Sequence, residues 1–397
     1  MSATSARDPL HGMFHVQAHD RILFGTPAEE AVAAEADRLG ARRVFVTSTR
    51  SLSQLENGPL QRVIKGLGDR HAGTYSAIRS HSPREDVAAG ANAARAAKAD
   101  LMVAVGGGSV IDATKAMLLC LWTGADSAEA MEQYCSGFDR SRSAPLTVPA
   151  DPIRMISVST TLSASEFTSG AGVTDARTNT KQSFIHRLFA PRTVVLDPAA
   201  TFDTPDWLLF CTGIRAVDHA VETYCNLQAN PATEALSLQG LRLLHGALPR
   251  IKAAPKDLEP RTQAQIGMWQ AIAAAASGVP TGASHGIGYA LGATFGIAHG
   301  HTSCVMLPAV LKWNAAFNGE RQRALSEAMG APERPAGDLV AELVAGLDQP
   351  GNLRAVGIKR ENLPEIAKRA VAYQPVQQNP RKIATPDDVM EILELAW

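Results

Sequence analysis

The sequence predicts an α/β fold in which a domain built on a parallel sheet precedes an all-helical domain. Three observations lead to this prediction. Through the first half of the chain, short apolar runs alternate with alanine-rich stretches of helical character. Beyond residue 205, only helical periods remain. A chain of 397 residues is also longer than one hydrophobic core usually supports, so two domains are expected. The predicted domains are residues 1–200 and 201–397.

The first half of the chain carries the strand signals. Residues 13–24 alternate and contain aromatic side chains, which predicts a short hairpin. Gly40 follows an Ala/Glu-rich stretch and is expected to end a helix there. Residues 101–105 are wholly apolar, as buried parallel strands are. The predicted elements are a hairpin at 13–24, strands at 43–47, 71–78, 101–105, 154–159 and 193–196, and helices at 27–39, 53–66, 84–97 and 110–119.

The second half of the chain is predicted to be helical. Its apolar residues recur at the spacing of one helix face, and strand signals nearly vanish. The predicted helices cover residues 207–227, 231–248, 260–277, 320–329, 339–346, 363–371 and 387–396.

Composition excludes several classes of function. The formal charge is −1 and no Lys/Arg-rich run occurs, so nucleic acid is not an expected partner. No apolar run approaches ~20 residues, so no membrane span is expected. Five scattered cysteines without a CxxC pair, and an N-terminus without an apolar signal core, favour reduced thiols in the cytoplasm.

A glycine-rich turn follows the apolar run at 101–105. It reads Gly106-Gly107-Gly108-Ser109 and leads into the predicted helix. Glycines at a strand-to-helix turn let backbone N–H groups and a helix N-terminus meet a phosphate, which predicts a dinucleotide pyrophosphate site. The pattern is not GxGxxG, and a tight turn that needs glycine only for its backbone angles is the alternative.

Two hydroxyl-rich segments also follow predicted strands. Ser48-Thr49-Arg50 contains no acidic residue to bind a ribose 2′-hydroxyl, so the choice between NAD and NADP stays open. Arg50 can pair with a 2′-phosphate or lie in an ordinary solvated loop. The second segment, residues 160–168, can bond phosphate, ribose or a nicotinamide amide. Its alternative role is a helix cap with Thr161 or Ser163 at the N-cap.

The segment 282–301 is the most informative part of the sequence. It places His285, His299, His301 and Tyr289 among glycines with almost no charge around them. His285 and Tyr289 are four residues apart and therefore share a helix face. Histidine is the commonest metal ligand and titrates near neutral pH. Residues 292 and 296 are glycines and are expected to break the helix before His299.

Arg215 and His219 form a second polar pair at helical spacing, on the face that also carries Glu222. On an isolated helix this pair indicates a solvated face. Beside three histidines in an apolar context, it favours a metal or hydride-transfer site in which one ligand is altered.

In combination, these motifs resemble the iron-containing (group III) alcohol dehydrogenase superfamily. The resemblance extends from Phe24-Gly25 to the C-terminal tail, and residues 159–174 and 379–389 are most similar to the maleylacetate reductase-like branch. It implies the dehydroquinate synthase-like fold, a homodimer, and a site in the cleft between the domains. It also implies NAD or NADP at residues Ser48, Gly106, Gly107, Gly108, Ser109, Asp112, Thr160, Thr161, Ser163, Thr168 and Lys181.

The resemblance also defines one departure. Metal-dependent members hold Fe²⁺ or Zn²⁺ with one Asp and three His, and the Asp position here is Arg215. His219, His285 and His299 match the histidine ligands, while Tyr289 stands at the position of a further catalytic histidine. A guanidinium has no lone pair to give and repels a cation. No metal is therefore expected, unless Arg215 swings away and three histidines hold Fe or Zn.

The function predicted from these observations is a cytoplasmic NAD(P)-dependent oxidoreductase. It transfers hydride to a ketone, an aldehyde or a conjugated keto acid, with a maleylacetate-like carboxylated small molecule as the expected substrate. The expected catalytic residues are Arg215, His219, His285, Tyr289 and His299. Three alternatives stay open: a metal-containing alcohol dehydrogenase using three histidines, a nucleotide-binding pseudoenzyme that lost turnover, and a lyase resembling dehydroquinate synthase.

Overall fold

The chain folds into two compact units. The computed structural model describes residues 13–135, 144–178 and 180–397. Contacts along the described chain separate a sheet unit, Gln17–Leu209 with Arg250–Ile266, from a helical unit, which comprises residues 13–16, Phe210–Pro249 and Gly267–Trp397. The domain boundary predicted at residue 200 stays a prediction, and these units assign residues 13–16, 201–209 and 250–266 differently.

The sheet unit is built on six parallel strands in the order β1-β8-β5-β4-β2-β3. A separate antiparallel pair, β6 and β7, completes its strands. The bounds are β1 Arg21–Phe24, β2 Val44–Thr47, β3 His71–Tyr75, β4 Leu101–Gly106, β5 Arg154–Ser159, β6 Gly170–Asp175, β7 Thr180–Ile185 and β8 Thr193–Leu196. The prediction of a parallel sheet is confirmed.

Helices cover both faces of this sheet. Alternate residues of a strand point to opposite faces, so Val44 and Val46 join one apolar cluster while Phe45 joins the other. The first cluster is lined by α1 and α3, and the second by α4 and α5. The helices of this part of the chain are α1 Ala28–Arg38, α2 Arg50–Ser53, α3 Pro59–Leu67, α4 Arg84–Ala96 and α5 Gly108–Thr123. Burial on both faces explains why β2 and β4, inside the sheet, consist almost entirely of apolar residues.

Two predictions about this region are wrong, and two strands of it were not predicted. The hairpin at residues 13–24 does not form, because β1 pairs in parallel with the distant β8. The helix predicted at 53–66 is split, since α2 ends at Ser53 and α3 begins at Pro59, which suits a first helical position. Strands β6 and β7 were not predicted, because their Gly/Thr/Ser-rich sequence resembles a loop.

The second half of the chain is helical, as predicted. Residues 206–397, which the structure describes throughout, contain helices and no strand. These helices are α6 Asp206–Cys225, α7 Pro231–Ala253, α8 Leu258–Ala276, α9 Ala283–Phe295, α10 His299–Ala328, α11 Ala336–Gly346, α12 Leu363–Ala370, α13 Gln374–Gln377 and α14 Pro386–Leu395. The segment predicted at 320–329 is the part of α10 that follows a kink at Asn318, whose φ of −128° and ψ of 32° are not helical.

One apolar core joins α9, α10, α12 and α14 in the helical unit. Helix α9 is held closely by its neighbours, because a Cβ at Gly286 would overlap Val376 and a Cβ at Gly288 would lie 2.8 Å from the Thr302 hydroxyl. Glycine is therefore required there for close packing. Among the described residues, no helix is long and apolar enough to span a membrane.

Candidate active site

The glycine turn of the sheet unit has the predicted geometry. Strand β4 ends at Gly106, Gly107 is the N-cap, and α5 begins at Gly108. A Cβ at Gly107 would lie 2.8 Å from Thr161 Cγ2, and one at Gly106 would lie 2.5 Å from Val110. The turn thus needs glycine for packing within the protein, and it also presents the free N–H groups of a helix start. None of Gly106, Gly107 and Gly108 has a positive φ, so the alternative that the turn needs glycine for its backbone angles is wrong, while the pyrophosphate site stays a prediction.

The predicted cofactor residues of neighbouring strands end at the same edge of the sheet. Strands β2, β4 and β5 are adjacent, and Ser48 and Thr160 follow β2 and β5 directly. The Ser48 hydroxyl donates to the Val105 carbonyl at 2.9 Å, and the Thr160 N–H donates to the Gly106 carbonyl at 3.1 Å. In open α/β sheets, ligands bind outside the carboxyl ends of the strands. The hydrogen of the Ser48 hydroxyl is already donated to a backbone carbonyl of the protein.

The segment after β5 is not a helix N-terminus of the predicted kind. The Thr161 hydroxyl donates to the Ser163 hydroxyl at 3.2 Å, and neither side chain caps a helix. Only a single 3₁₀ turn follows, at Ser165–Phe167. The helix-cap alternative is therefore wrong, and both hydroxyls lie against the glycine turn.

A loop after β3 fixes the start of α5. The His81 N–H donates to the Ser109 hydroxyl at 3.1 Å, and the Ser82 hydroxyl donates to the Ser109 carbonyl at 2.7 Å. His81 and Ser82 have φ values of +64° and +52°, a left-handed conformation that costs free energy for residues other than glycine. Neither residue could be selected from the sequence, because nothing in the pattern signals this conformation.

A buried polar network supports the same turn from behind. Asp112 accepts a hydrogen bond from the Gly172 N–H at 3.0 Å and another from the Ser165 hydroxyl. Lys115 is fully buried and donates to the carbonyls of Ser165 and Gly170 and to the Thr168 hydroxyl. Burial lowers the pKa of Lys115 to about 8. Asp112 and Thr168, both predicted to bind cofactor, thus make protein contacts that shape the loop; Lys181, exposed on β7, packs over Gly172.

In the helical unit, α6 carries a buried row of polar side chains. Asp218, His219 and Glu222 are 0%, 7% and 5% exposed, and the Arg215 side chain is 12% exposed. The alternative of a solvated face is wrong for this helix, since α9 and α10 supply the partners of these residues. Asp218 was missed by the sequence analysis, because a carboxylate on a predicted helix ordinarily indicates solvent.

Glu222 connects α6 to the start of α9. Its carboxylate accepts the N–H groups of Gly282 at 2.7 Å and Ser284 at 2.6 Å, and it lies 2.7 Å from His285 Nδ1. An anion at a helix N-terminus satisfies free N–H groups and complements the helix dipole. The carboxylate also lies where a Cβ at residue 282 would crowd it, at 3.0 Å, which accounts for the glycine there.

Arg215 is held among the same groups. Its NH1 donates to the Ser303 hydroxyl at 3.0 Å and lies 3.8 Å from Asp218 Oδ2. Ser303 in turn donates to Asp218 at 2.6 Å. The guanidinium carbon lies 6.0 Å from the centre of the Tyr289 ring, within reach of a cation–π attraction. The positive charge therefore belongs to a buried network rather than to the surface.

The structure brings all five predicted catalytic residues together. The His219 and His285 ring centres are 4.9 Å apart, and Tyr289 lies 6.5 Å from His285 and 6.4 Å from His299. Helix α9 runs through Gly292, so of the two predicted breaks only Gly296, with φ +69°, ends it before His299. Tyr373, not selected from the sequence, packs edge-on against Tyr289 at 5.9 Å.

The electrostatics of this cluster differ from one histidine to the next. Burial, with His285 and Arg215 nearby, lowers the pKa of His219 well below its usual value. Burial and Arg215 oppose charge on His285 as well, but Asp218 and Glu222 outweigh them and raise its pKa. Burial opposes ionisation of Asp218, yet His285, Arg215 and Ser303 together lower its pKa.

The residues of this cluster fit a divalent metal poorly. Asp218, Glu222 and His285 offer ligand atoms within 4.8 Å of one another. Their oxygens already accept N–H and O–H groups, so an ion there would remove the hydrogen bonds that start α9. The place of the family's Asp ligand is held by Arg215, whose guanidinium repels a cation.

Comparisons with known proteins define the family. Residues 19–198 match the model of iron-containing alcohol dehydrogenase, and residues 210–397 match the C-terminal model of the Fe-containing alcohol dehydrogenase family. Dehydrogenase FUM7 of Gibberella moniliformis is 32% identical over 97% of this chain and 99% of its own. Maleylacetate reductase of Delftia acidovorans is 30% identical, covering 91% and 92%. The crystal structure of maleylacetate reductase from Agrobacterium tumefaciens superposes with a TM-score of 0.81 at 26% identity, covering 98% of each chain.

The chain belongs to the iron-containing alcohol dehydrogenase family and is an oxidoreductase. Its similarity to several maleylacetate reductases assigns it to the maleylacetate reductase-like branch of that family. The resemblance inferred from the motifs, and the fold that it implied, are confirmed.

Proposed function

We propose that this protein is an NAD(P)-dependent reductase of a carboxylated ketone, aldehyde or conjugated keto acid that works without a divalent metal. The observation that carries this proposal is the position of Arg215, whose side chain is only 12% exposed and is held by Ser303 among His219, His285 and Tyr289. It stands where metal-dependent relatives need a carboxylate ligand. Relatives named maleylacetate reductase support a keto acid as substrate.

The sheet unit would bind the cofactor, and a bound nicotinamide supplies the hydride. The N–H groups at the start of α5 suit the pyrophosphate, and Gly107 keeps the surface clear for its approach. The expectations for Ser48, Ser163 and Lys181 rest on their neighbouring positions at the ends of the strands and on β7. No acidic side chain follows β2, so the choice between the two cofactors is left to measurement.

Gly107→Ala tests the cofactor assignment. A methyl group there crowds Thr161 Cγ2 as well as the expected pyrophosphate, so thermal stability and cofactor affinity should both fall. Thr161→Ser removes that Cγ2, and the double variant should recover melting temperature while its NADH affinity stays at least about tenfold weaker, or about 1.4 kcal/mol. Differential scanning fluorimetry and NADH titration measure the two. Recovery of both together would make the turn a packing feature only.

Arg215 would supply the positive charge that carbonyl reduction needs. Charge develops on the carbonyl oxygen as hydride reaches the carbon, and fixed donors in a buried site stabilise it strongly. A guanidinium is charged at any working pH and can hold a carboxylate with two parallel hydrogen bonds. Proton donation falls to Tyr289 or a histidine other than His219, because the lowered pKa of His219 leaves it neutral.

A metal-dependent alcohol dehydrogenase is the second candidate. His219 Nδ1 and His285 Nε2 are buried and have no hydrogen-bond partner among the described residues, so the lone pair of each is available to a metal ion. Binding an ion to them would require the Arg215 guanidinium to move away from the cluster.

Metal content and turnover decide between the two candidates. Protein purified without chelator should contain far less than one Fe or Zn per chain, and should oxidise NADH or NADPH with keto acids before and after EDTA treatment. Near-stoichiometric metal that leaves together with activity would establish the second candidate instead. A folded protein that binds NAD(P)H but turns over no ketone, aldehyde or keto acid would be the pseudoenzyme.

A further inference from the structure

The environment of His285 Nδ1 determines whether that nitrogen carries a hydrogen. It lies 2.7 Å from a Glu222 oxygen and 3.3 Å from Asp218 Oδ2, and all three residues are buried. An imidazole lone pair facing two carboxylate oxygens would be repelled by both. Nδ1 must therefore carry a hydrogen and donate it to Glu222.

The two carboxylates are themselves fixed in place. Glu222 is bound by the N–H groups of Gly282 and Ser284. Asp218 Oδ2 accepts the hydroxyls of Ser284 at 2.8 Å and Ser303 at 2.6 Å. These donors come from α9 and α10, so neither carboxylate can turn away from His285 without losing buried hydrogen bonds.

Because Nδ1 donates its hydrogen to Glu222, Nε2 is the nitrogen of His285 that remains for other contacts. It is buried and has no hydrogen-bond partner among the described residues. The Tyr289 ring lies one helical turn further along α9, and the His219 ring is in contact range. Nε2 is therefore the ring nitrogen of His285 that stays available to a ligand or to a neighbouring side chain.

We propose that Glu222 is a positioning residue that keeps the hydrogen on Nδ1 and fixes the ring orientation of His285. Nε2 then either donates its hydrogen to the substrate oxygen when the ring is charged, or accepts a hydrogen bond from the group that protonates that oxygen when the ring is neutral. Asp218 assists from the second side. Partners that orient a reactive imidazole in this way govern activity strongly in other enzymes. The catalytic consequence rests on the proposed function, whereas the tautomer can be measured without turnover.

Glu222 also starts α9, and a purely structural role must be separated from positioning. Asn379 offers the matched control. Its side-chain oxygen faces the Ala283 N–H at 3.4 Å, and its amide exchanges hydrogen bonds with Asn314, so it supports the same helix end without contacting His285. Asn379→Ala removes the contact with the helix start and the hydrogen bonds with Asn314, but leaves the partners of His285 in place. Glu222→Gln keeps the size of the side chain and removes its charge.

The test compares these two variants with the wild-type protein. Glu222→Gln should lower kcat by about tenfold to a hundredfold at unchanged NADH affinity. Asn379→Ala should lower the melting temperature with kcat close to wild type. ¹⁵N-histidine NMR, with the His285 signal identified by its loss in His285→Asn, should show the Nδ1–H form in wild type and a changed form in Glu222→Gln.

Each outcome decides the proposal. A wild-type His285 with unprotonated Nδ1 overturns it, even if Glu222→Gln does not fold. It is also overturned if Glu222→Gln keeps wild-type kcat, or if both variants lose kcat in proportion to their loss of melting temperature. If the wild-type enzyme turns over no carbonyl substrate, the proposed function fails, while the NMR result still decides whether Glu222 sets the tautomer.

Discussion

Arg215→Lys should lower kcat/KM by about tenfold to a hundredfold on a carboxylated keto substrate, the range expected for losing a charge-assisted hydrogen bond worth roughly 1.5–3 kcal/mol. Lysine keeps the charge but loses the planar fork that binds a carboxylate through two hydrogen bonds. It also cannot reproduce the geometry by which NH1 reaches Ser303. Steady-state kinetics with a keto acid and with an uncharged ketone of similar size measure the effect.

The pair of substrates separates two roles of the guanidinium. A loss confined to the keto acid identifies Arg215 as the carboxylate anchor, whereas an equal loss on both substrates identifies it as the stabiliser of the developing oxyanion. Arg242→Lys, on an exposed part of α7, is the matched control and should leave both rates unchanged. Wild-type rates in Arg215→Lys on both substrates would remove Arg215 from the site.

Arg215→Asp should give the larger change, because it alters the kind of chemistry that the site supports. It removes the positive charge and places a carboxylate four residues before His219, on the same face of α6. Together with His219, His285 and His299, the new side chain restores the ligand set of the metal-dependent relatives. Loss of the guanidinium also removes the positive charge 3.8 Å from Asp218 Oδ2, which further favours a bound cation.

The expected results are a gain in Zn²⁺ or Fe²⁺ affinity and loss of the native reductase activity. Equilibrium dialysis with elemental analysis measures the first, and NAD(P)H oxidation measures the second. Arg242→Asp adds a carboxylate at an exposed position and should gain no metal. If Arg215→Asp binds no metal and keeps its native turnover, the position of Arg215 in the site is wrong.

The sequence predicts the central strands of the sheet, but it does not predict which partner the edge strand β1 pairs with. Strand β4 is buried on both sides, and its apolar residues mark it in the sequence. Strand β1 pairs with β8, which lies far away in the sequence, and no local pattern specifies such a partner. Residues 13–24 are therefore predicted to form a hairpin instead. Strands β6 and β7 lack apolar runs and escaped prediction.

For the candidate site, polar side chains in apolar surroundings can be identified from the sequence, but buried carboxylates on a helix cannot. His285 and Tyr289 stand out among glycines and alanines, and Arg215 stands out against the family pattern. Asp218 and Glu222 are ordinary residues for an exposed helix face, and only the packing of α9 and α10 buries them. Lys115 was likewise hidden, because its acceptors come from a loop that follows the next strand.

The glycines of α9 make this helix depend on parts of the chain that are synthesised after it. Gly286, Gly288 and Gly292 each weaken an isolated helix by roughly 1 kcal/mol relative to alanine, so a helix of this length does not persist by itself. Its stability comes from partners that include Val376 and Asn379, which lie far downstream in the chain. We therefore expect His285 and Tyr289 to be held less firmly in a nascent chain until residues 376–379 have been made and packed, even though every predicted catalytic residue is already present.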